Sequence, residues 1–248
     1  MKPFIISIAL LLSVTGLFAQ TTVEQANTAY MEKDFSLAAR LYETALSEEG
    51  ASAAVYYNLG NACYRLNQIA PAILNYERAL LLEPGNRDIR FNLEIARLKT
   101  VDKIEPVGEF FLAGIYNAVQ NGYNTDQWSY IAVAGFLLLI VCLFLFFFSR
   151  KISLKKIGFY TGLMLLVICL VSNVFAYNQK KKLTHRTTAI IFSATTTLKS
   201  APDNSGTDLF ILHEGTKVKV TNQLGEWNEI ETADGNVGWI KNKEIEII

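Results

Sequence analysis

Side chains that carry chemistry are scarce in this chain. Three cysteines and two histidines occur in 248 residues, and the formal net charge is zero. Two of the cysteines, Cys142 and Cys169, fall inside long apolar runs. Their depths differ by about 9 Å at the helical rise, whereas a disulfide needs Cα atoms within about 7 Å, so this pair is not expected to bridge. Cys63 sits in a helical pattern as small core filler, where burial would hide it and raise its pKa. Without a disulfide framework, each domain must stand on its own core. His185 belongs to a basic run and His213 to a loop between expected strands. No Cys/His/Asp set, metal-ligand spacing or phosphate-binding glycine loop is present, so neither an enzyme, a metal site nor a cofactor is expected. With zero net charge, nothing in the composition points to nucleic acid.

What the sequence has in excess is hydrocarbon. Residues 128–148 and 157–177 carry no charge, and each run is long enough to cross a bilayer. Trp128, Tyr130, Tyr160 and Tyr177 stand where interfacial aromatic belts are expected. The connection, residues 149–156, carries Arg150, Lys151, Lys155 and Lys156, while Asp102, Glu105, Glu109 and Asp126 precede the first run. Basic loops stay in the cytoplasm, which sends the first span inward. Lys180, Lys181, Lys182 and Arg186 argue the other way, and the start of the chain breaks the tie. Residues 1–19 read as a secretory signal peptide: Lys2, an apolar core from Phe4 to Phe18, and a cut after Ala19. Both flanking domains are then expected on the periplasmic side of the inner membrane.

Within the hairpin, Ala132, Ala134 and Gly135 should meet Ser172 and Ala176. Gly158 and Gly162 form a GxxxG pair opposite Phe146–Phe148, which look too bulky for close approach. That glycine face is therefore expected to contact another membrane protein. Asn173 is the one strongly polar side chain in the spans, and no ion pathway is visible.

Residues 20–107 repeat themselves at a spacing of 34: Asn27/Asn61, Tyr30/Tyr64, Ala38/Ala72, Tyr42/Tyr76, Glu43/Glu77, Ala45/Ala79 and Leu46/Leu80. This period, with small residues where helices cross, resembles the tetratricopeptide repeat (TPR). Two repeats are expected, followed by a helix over 88–100 that caps the stack. The resemblance implies a concave groove on the first helix of each repeat that receives protein partners. In this register the groove carries Asn27, Tyr30, Asn61, Tyr64 and Arg65, with Met31 and Tyr57 beside them. Asn can bond a peptide backbone and Arg65 a carboxylate; the plainer alternative is a solvated repeat face without a ligand. Residues 108–127 then hold an apolar stripe, Phe111, Leu112, Ile115, Tyr116 and Val119, at helical spacing. It suits either a membrane surface or the last TPR helix.

Residues 184–248 change to short alternating strands, with Asp234-Gly235 as a hairpin turn. The order "LHEGTKVKV…LGEWNEIETADGNVGWI" closely resembles the bacterial SH3-like (SH3b) domain, a small all-β barrel whose relatives bind peptidoglycan, peptides or protein surfaces. Trp227 and Trp239 could be ligand platforms, but core and rim packing is the more ordinary role in so small a barrel.

The fold class expected is thus a multi-domain membrane protein of all-α repeats, a two-helix transmembrane hairpin and an all-β barrel. The whole order, with "DKIEP", "DQW", "GFYTG" and "TDLFILHEGTKV", resembles the BatE family, the TPR-containing members of Bacteroides aerotolerance (Bat) operons. That resemblance implies an inner-membrane partner of membrane-anchored von Willebrand A-domain proteins, encoded with a MoxR-type ATPase and linked to oxygen tolerance or envelope stress. Two roles follow: a scaffold that recruits envelope proteins, or a membrane anchor that holds peptidoglycan through SH3b.

Overall fold

The computed structural model describes residues 21–104, 108 and 110–248; the expected signal peptide lies outside the described residues. Its first five helices are α1 (Thr22–Met31), α2 (Phe35–Glu49), α3 (Ala53–Arg65), α4 (Ile69–Leu82) and α5 (Arg87–Arg97). Local chemistry sets their starts. Thr21 Oγ1 accepts from the Glu24 amide while Glu24 Oε2 accepts from the Thr21 amide, a reciprocal cap. Asp34 and Asn86 cap α2 and α5. The alanines repeated at 34 residues, Ala38, Ala45, Ala72 and Ala79, are at most 1% exposed, because only a methyl group fits where the helices cross. At Gly60 even that is too much: a Cβ there would sit 2.7 Å from the Tyr76 ring. Ile89, Leu93 and Ala96 of α5 close the far edge of the stack.

Helix α6 (Phe111–Gln120) leads into two long apolar helices, α7 (Thr125–Phe148) and α8 (Ile152–Thr184). Each is long and apolar enough to cross a membrane, with mean hydropathy 3.1 and 2.1 and only 17% of the apolar window buried. Both extend past the spans read from sequence. Residues 149–151 alone separate them, and α8 continues beyond Tyr177 because no glycine or proline interrupts it between Gly162 and Thr184.

The contacts inside this hairpin correct two expectations. Gly158 and Gly162 do not present a vacant face: a Cβ on Gly158 would stand 2.8 Å from the Cys142 carbonyl oxygen, and one on Gly162 3.4 Å from Cys142 Cβ. The backbone of α7 fills that face itself, since Phe147 and Phe148 turn outward and the Phe146 ring lies beside Phe159. Trp128 is no exposed belt residue either. It is buried between Tyr123 and Phe175, and its indole N–H donates to the Gln120 carbonyl at 3.0 Å. Tyr130, Tyr160 and Tyr177 remain exposed, and Cys169 Sγ meets the Ala132 carbonyl rather than Cys142.

The C-terminal strands are β1 (Thr188–Ile191), β2 (Thr195–Lys199), β3 (Asp208–His213), β4 (Lys217–Leu224), β5 (Trp227–Glu231), β6 (Val237–Lys241) and β7 (Ile245–Ile247). They form one antiparallel sheet in the order β3-β2-β6-β5-β4-β1-β7, with register shifts at 198/199 and 220/222 that bend it. The ladder runs open from β3 to β7. Alternation buries Leu198, Ile230 and Ile240 on the concave side. Two other residues, Ile190 and Ile248, leave this core and join that of the helical repeats.

Candidate functional site

The groove residues come together, although their side chains are partly spent on the repeat itself. Tyr42 donates its hydroxyl to Asn27 Oδ1 at 2.7 Å, and Tyr76 does the same to Asn61 Oδ1 at 2.8 Å. Equivalent residues of the two repeats thus make the same bond between first and second helix. Burial pushes the Tyr42 hydroxyl up to about 12 and Tyr76 higher still, so both remain donors. Asn92 of α5 adds a bond to Asn61 Oδ1 at 3.0 Å and another to the Tyr57 hydroxyl. The asparagine oxygens are therefore fixed by the fold, which leaves the amide N–H side to meet a peptide.

Around them lies a set of ring and cation contacts. The Arg65 guanidinium rests 4.8 Å from the centroid of Phe35, whose ring meets Tyr30 edge-on at 5.2 Å. Lys99 stands 4.2 Å over the Tyr64 ring. Phe35, Asn92 and Lys99 were not legible as groove residues, since none belongs to a matched pair of the 34-residue register. Cys63 is buried beneath, its thiol pushed up to about 11 by burial and then by the charge of Glu43, which makes it inert filler.

A second arrangement, absent from any sequence pattern, is the seam between the repeats and the sheet. Asp102, just past α5, accepts from the His213 amide at 2.7 Å, from the Thr216 hydroxyl at 2.7 Å and from His213 Nδ1 at 2.8 Å. Desolvation pushes its carboxyl up, but the hydrogen bonds from Thr216 and His213 and the His213 charge outweigh it, and the net shift is downward. Glu77 of α4, 6% exposed, holds Arg97 and Lys217 together, Lys217 at 2.8 Å. Arg78 bonds Glu246 at 3.0 Å and the Ile247 carbonyl at 2.7 Å. Gly215, at φ +85°, turns so tightly here that a Cβ would be 2.7 Å from Thr100. Glu77 did stand out in the sequence, but only as the partner of Glu43 at the repeat spacing.

The tryptophans do not take the core half of the packing role expected of them. Trp227 pairs with Lys241 and Glu229 with Trp239, so both indoles lie on the face of β5–β6 opposite buried Ile230 and Ile240. Both are partly exposed, and Lys241 Nζ lies 5.3 Å from the Trp227 ring centroid. They line the outside of the sheet and do not fill its core.

A stack of helix hairpins crossing through alanine and glycine, followed by a bent antiparallel sheet, defines a helical-repeat protein with an SH3-like module. The comparisons agree in place as well as kind. The tetratricopeptide repeat model matches residues 53–86, which span α3 and α4, and the bacterial SH3 domain model matches residues 194–246. Among curated proteins, none matches this chain.

Proposed function

We propose that the protein is a non-enzymatic membrane scaffold whose repeats recruit envelope proteins on the periplasmic face of the inner membrane. The observation that carries this reading is the seam. Asp102, Glu77 and Arg78 tie the repeats to the sheet, so the domains before and after the apolar hairpin occupy one side of it. A hairpin that crosses twice satisfies that constraint, and of the basic run that argued against it Lys182 turns to Asn121 at the docked surface. The side itself is assigned by the expected export signal and by the usual extracytoplasmic setting of SH3b modules. The exposed stripe of α6, with Phe111 76% and Leu112 61% exposed, continues the apolar surface of the spans and suits the membrane interface. A closed SH3-like barrel, completed by curling of the bent sheet, belongs to this reading too.

The seam uses α4 and the segment after α5, whereas Asn27, Tyr30, Asn61, Tyr64 and Arg65 lie on α1 and α3. The groove is thus left open to a partner, and the Bat-type resemblance nominates membrane-anchored von Willebrand A-domain proteins. Arg65→Glu reverses one charge and Met31→Glu adds another at an exposed position, without touching the Asn–Tyr bonds. Co-purification of those A-domain proteins with the full chain should fall at least severalfold while the melting curve is kept; unchanged recovery would remove the groove from the mechanism.

The alternative, a peptidoglycan-holding anchor, is favoured by one feature: Trp227 and Trp239 face outward together. Stacking of sugar rings on exposed indoles is the chemistry it would use. Sedimentation of the purified full chain with sacculi separates the roles, since the scaffold reading expects no retention above a protein lacking SH3b.

A further inference from the structure

A cleft of about 520 Å³ opens where the repeats, the α6–α7 turn, the outer end of α8 and the sheet converge. Its walls carry an excess of cations. Arg97 and Lys217 share the single carboxylate of Glu77, and Arg90, Lys182 and Arg186 face the same space with Glu94 as the other acidic side chain lining it and the Ile248 carboxylate at its edge. Their own contacts are to neutral oxygens: Arg90 to the Pro84 carbonyl at 2.7 Å, Lys182 to Asn121 Oδ1 at 3.1 Å, and Arg186 to the Leu183 carbonyl at 3.4 Å. These bonds orient the three cations and leave further N–H donors on each, two arginine forks and one lysine point charge, a set that suits a phosphate.

Depth completes the assignment. If the hydrocarbon ends near Tyr177, Lys182 lies about 7.5 Å farther out at the helical rise, at the outer edge of a headgroup layer about 5–7.5 Å thick. A soluble anion would not need a cleft placed there. We propose that this cleft binds the phosphate of an anionic phospholipid headgroup from the outer leaflet, held by Arg90, Lys182 and Arg186. The assignment rests on the membrane reading above. Bound lipid would brace the outer end of α8 against α5, in line with the seam.

The test is retention of phosphatidylglycerol by the full-length protein, taken from phosphatidylcholine nanodiscs doped with it and examined by native mass spectrometry. Wild type should keep a bound phosphatidylglycerol. A cation at a membrane surface contributes about fivefold, ~1 kcal/mol, so Arg90→Gln and Lys182→Gln should each lower retention about fivefold. Lys181→Gln, one residue away but outside the cleft, should leave it unchanged. Equal losses in all three variants would reduce the effect to general charge attraction and overturn the cleft. Displacement of the lipid by inorganic phosphate, with equal thermal stabilisation by phosphate in pure phosphatidylcholine discs, would make soluble phosphate the ligand. Insertion into neutral discs without phosphatidylglycerol retention would overturn this inference alone. A chain that stays soluble and lipid-free without detergent would overturn the membrane reading, and this assignment with it.

Discussion

At the residue scale, Asp102 is the most informative side chain. Three donors converge on a carboxylate that is 13% exposed, and all three, the His213 amide and ring and the Thr216 hydroxyl, come from the sheet module. Asp102→Asn keeps the shape and removes the charge, which should cost about 2 kcal/mol of stability at neutral pH. The cost should depend on acidity. The carboxyl titrates lower in the folded chain than its ordinary 3.8, so the stabilisation is complete above that pH and is lost as pH falls below it through the folded value. Melting curves of the two proteins should therefore converge below about pH 3.8 and stay separated at higher pH. Trp239 makes the opposite case. Because it lies on the outer face, Trp239→Ala should cost only about 1 kcal/mol, far below the ~3–5 kcal/mol of a truncated core aromatic. Loss of cooperative melting in that variant would return Trp239 to the core.

At the element scale, two helix pairs depend on missing side chains. In the repeat, Gly60→Ala forces a methyl group against the Tyr76 ring, which Asn61 holds in place, and overpacking of this kind costs about 1–3 kcal/mol. Calorimetry of the detergent-solubilised chain would measure it. Between α7 and α8 the obstacle is backbone: Gly158 faces the Cys142 carbonyl and the Phe146 amide, neither of which can rotate away. Gly158→Leu should separate the inner ends of the helices. A spin-label pair at Phe148 and Ile152 would report the widening, and an unchanged distance would mean that the glycine face is not the contact. The short connection and long α8 follow from the same principle, that a helix runs on until a residue stops it.

At the scale of the whole molecule, the repeats and the sheet behave as one body on one side of the hairpin. A protease added outside spheroplasts should remove both and leave only the hairpin protected, whereas protection of either domain would contradict the scaffold topology. Glu77 links them: Glu77→Ala frees the half-exposed Arg97 and Lys217 from a shared buried carboxylate, for about 1 kcal/mol. It should also raise hydrogen exchange along β1, which rests on α4. Periodicity and composition made much of this architecture readable in advance. The 34-residue spacing located α1 to α4, the uncharged runs located α7 and α8, and the Asp-Gly turn located β5 and β6. Those features are local or repeated, so a linear pattern carries them. The outward aim of Trp227 and Trp239, the closed glycine face of the hairpin and the convergence of Arg90, Lys182 and Arg186 were not readable, because each depends on which face of an element meets which neighbour. The Asp102–His213 bond spans 111 residues and the Glu77–Lys217 bond 140, and no periodicity in a sequence records a contact between two different modules. Sequence alone determined the parts and their order. Only the tertiary structure decided that the sheet lends Ile190 and Ile248 to the core of the repeats, since that is fixed by shape and charge complementarity between surfaces that meet once.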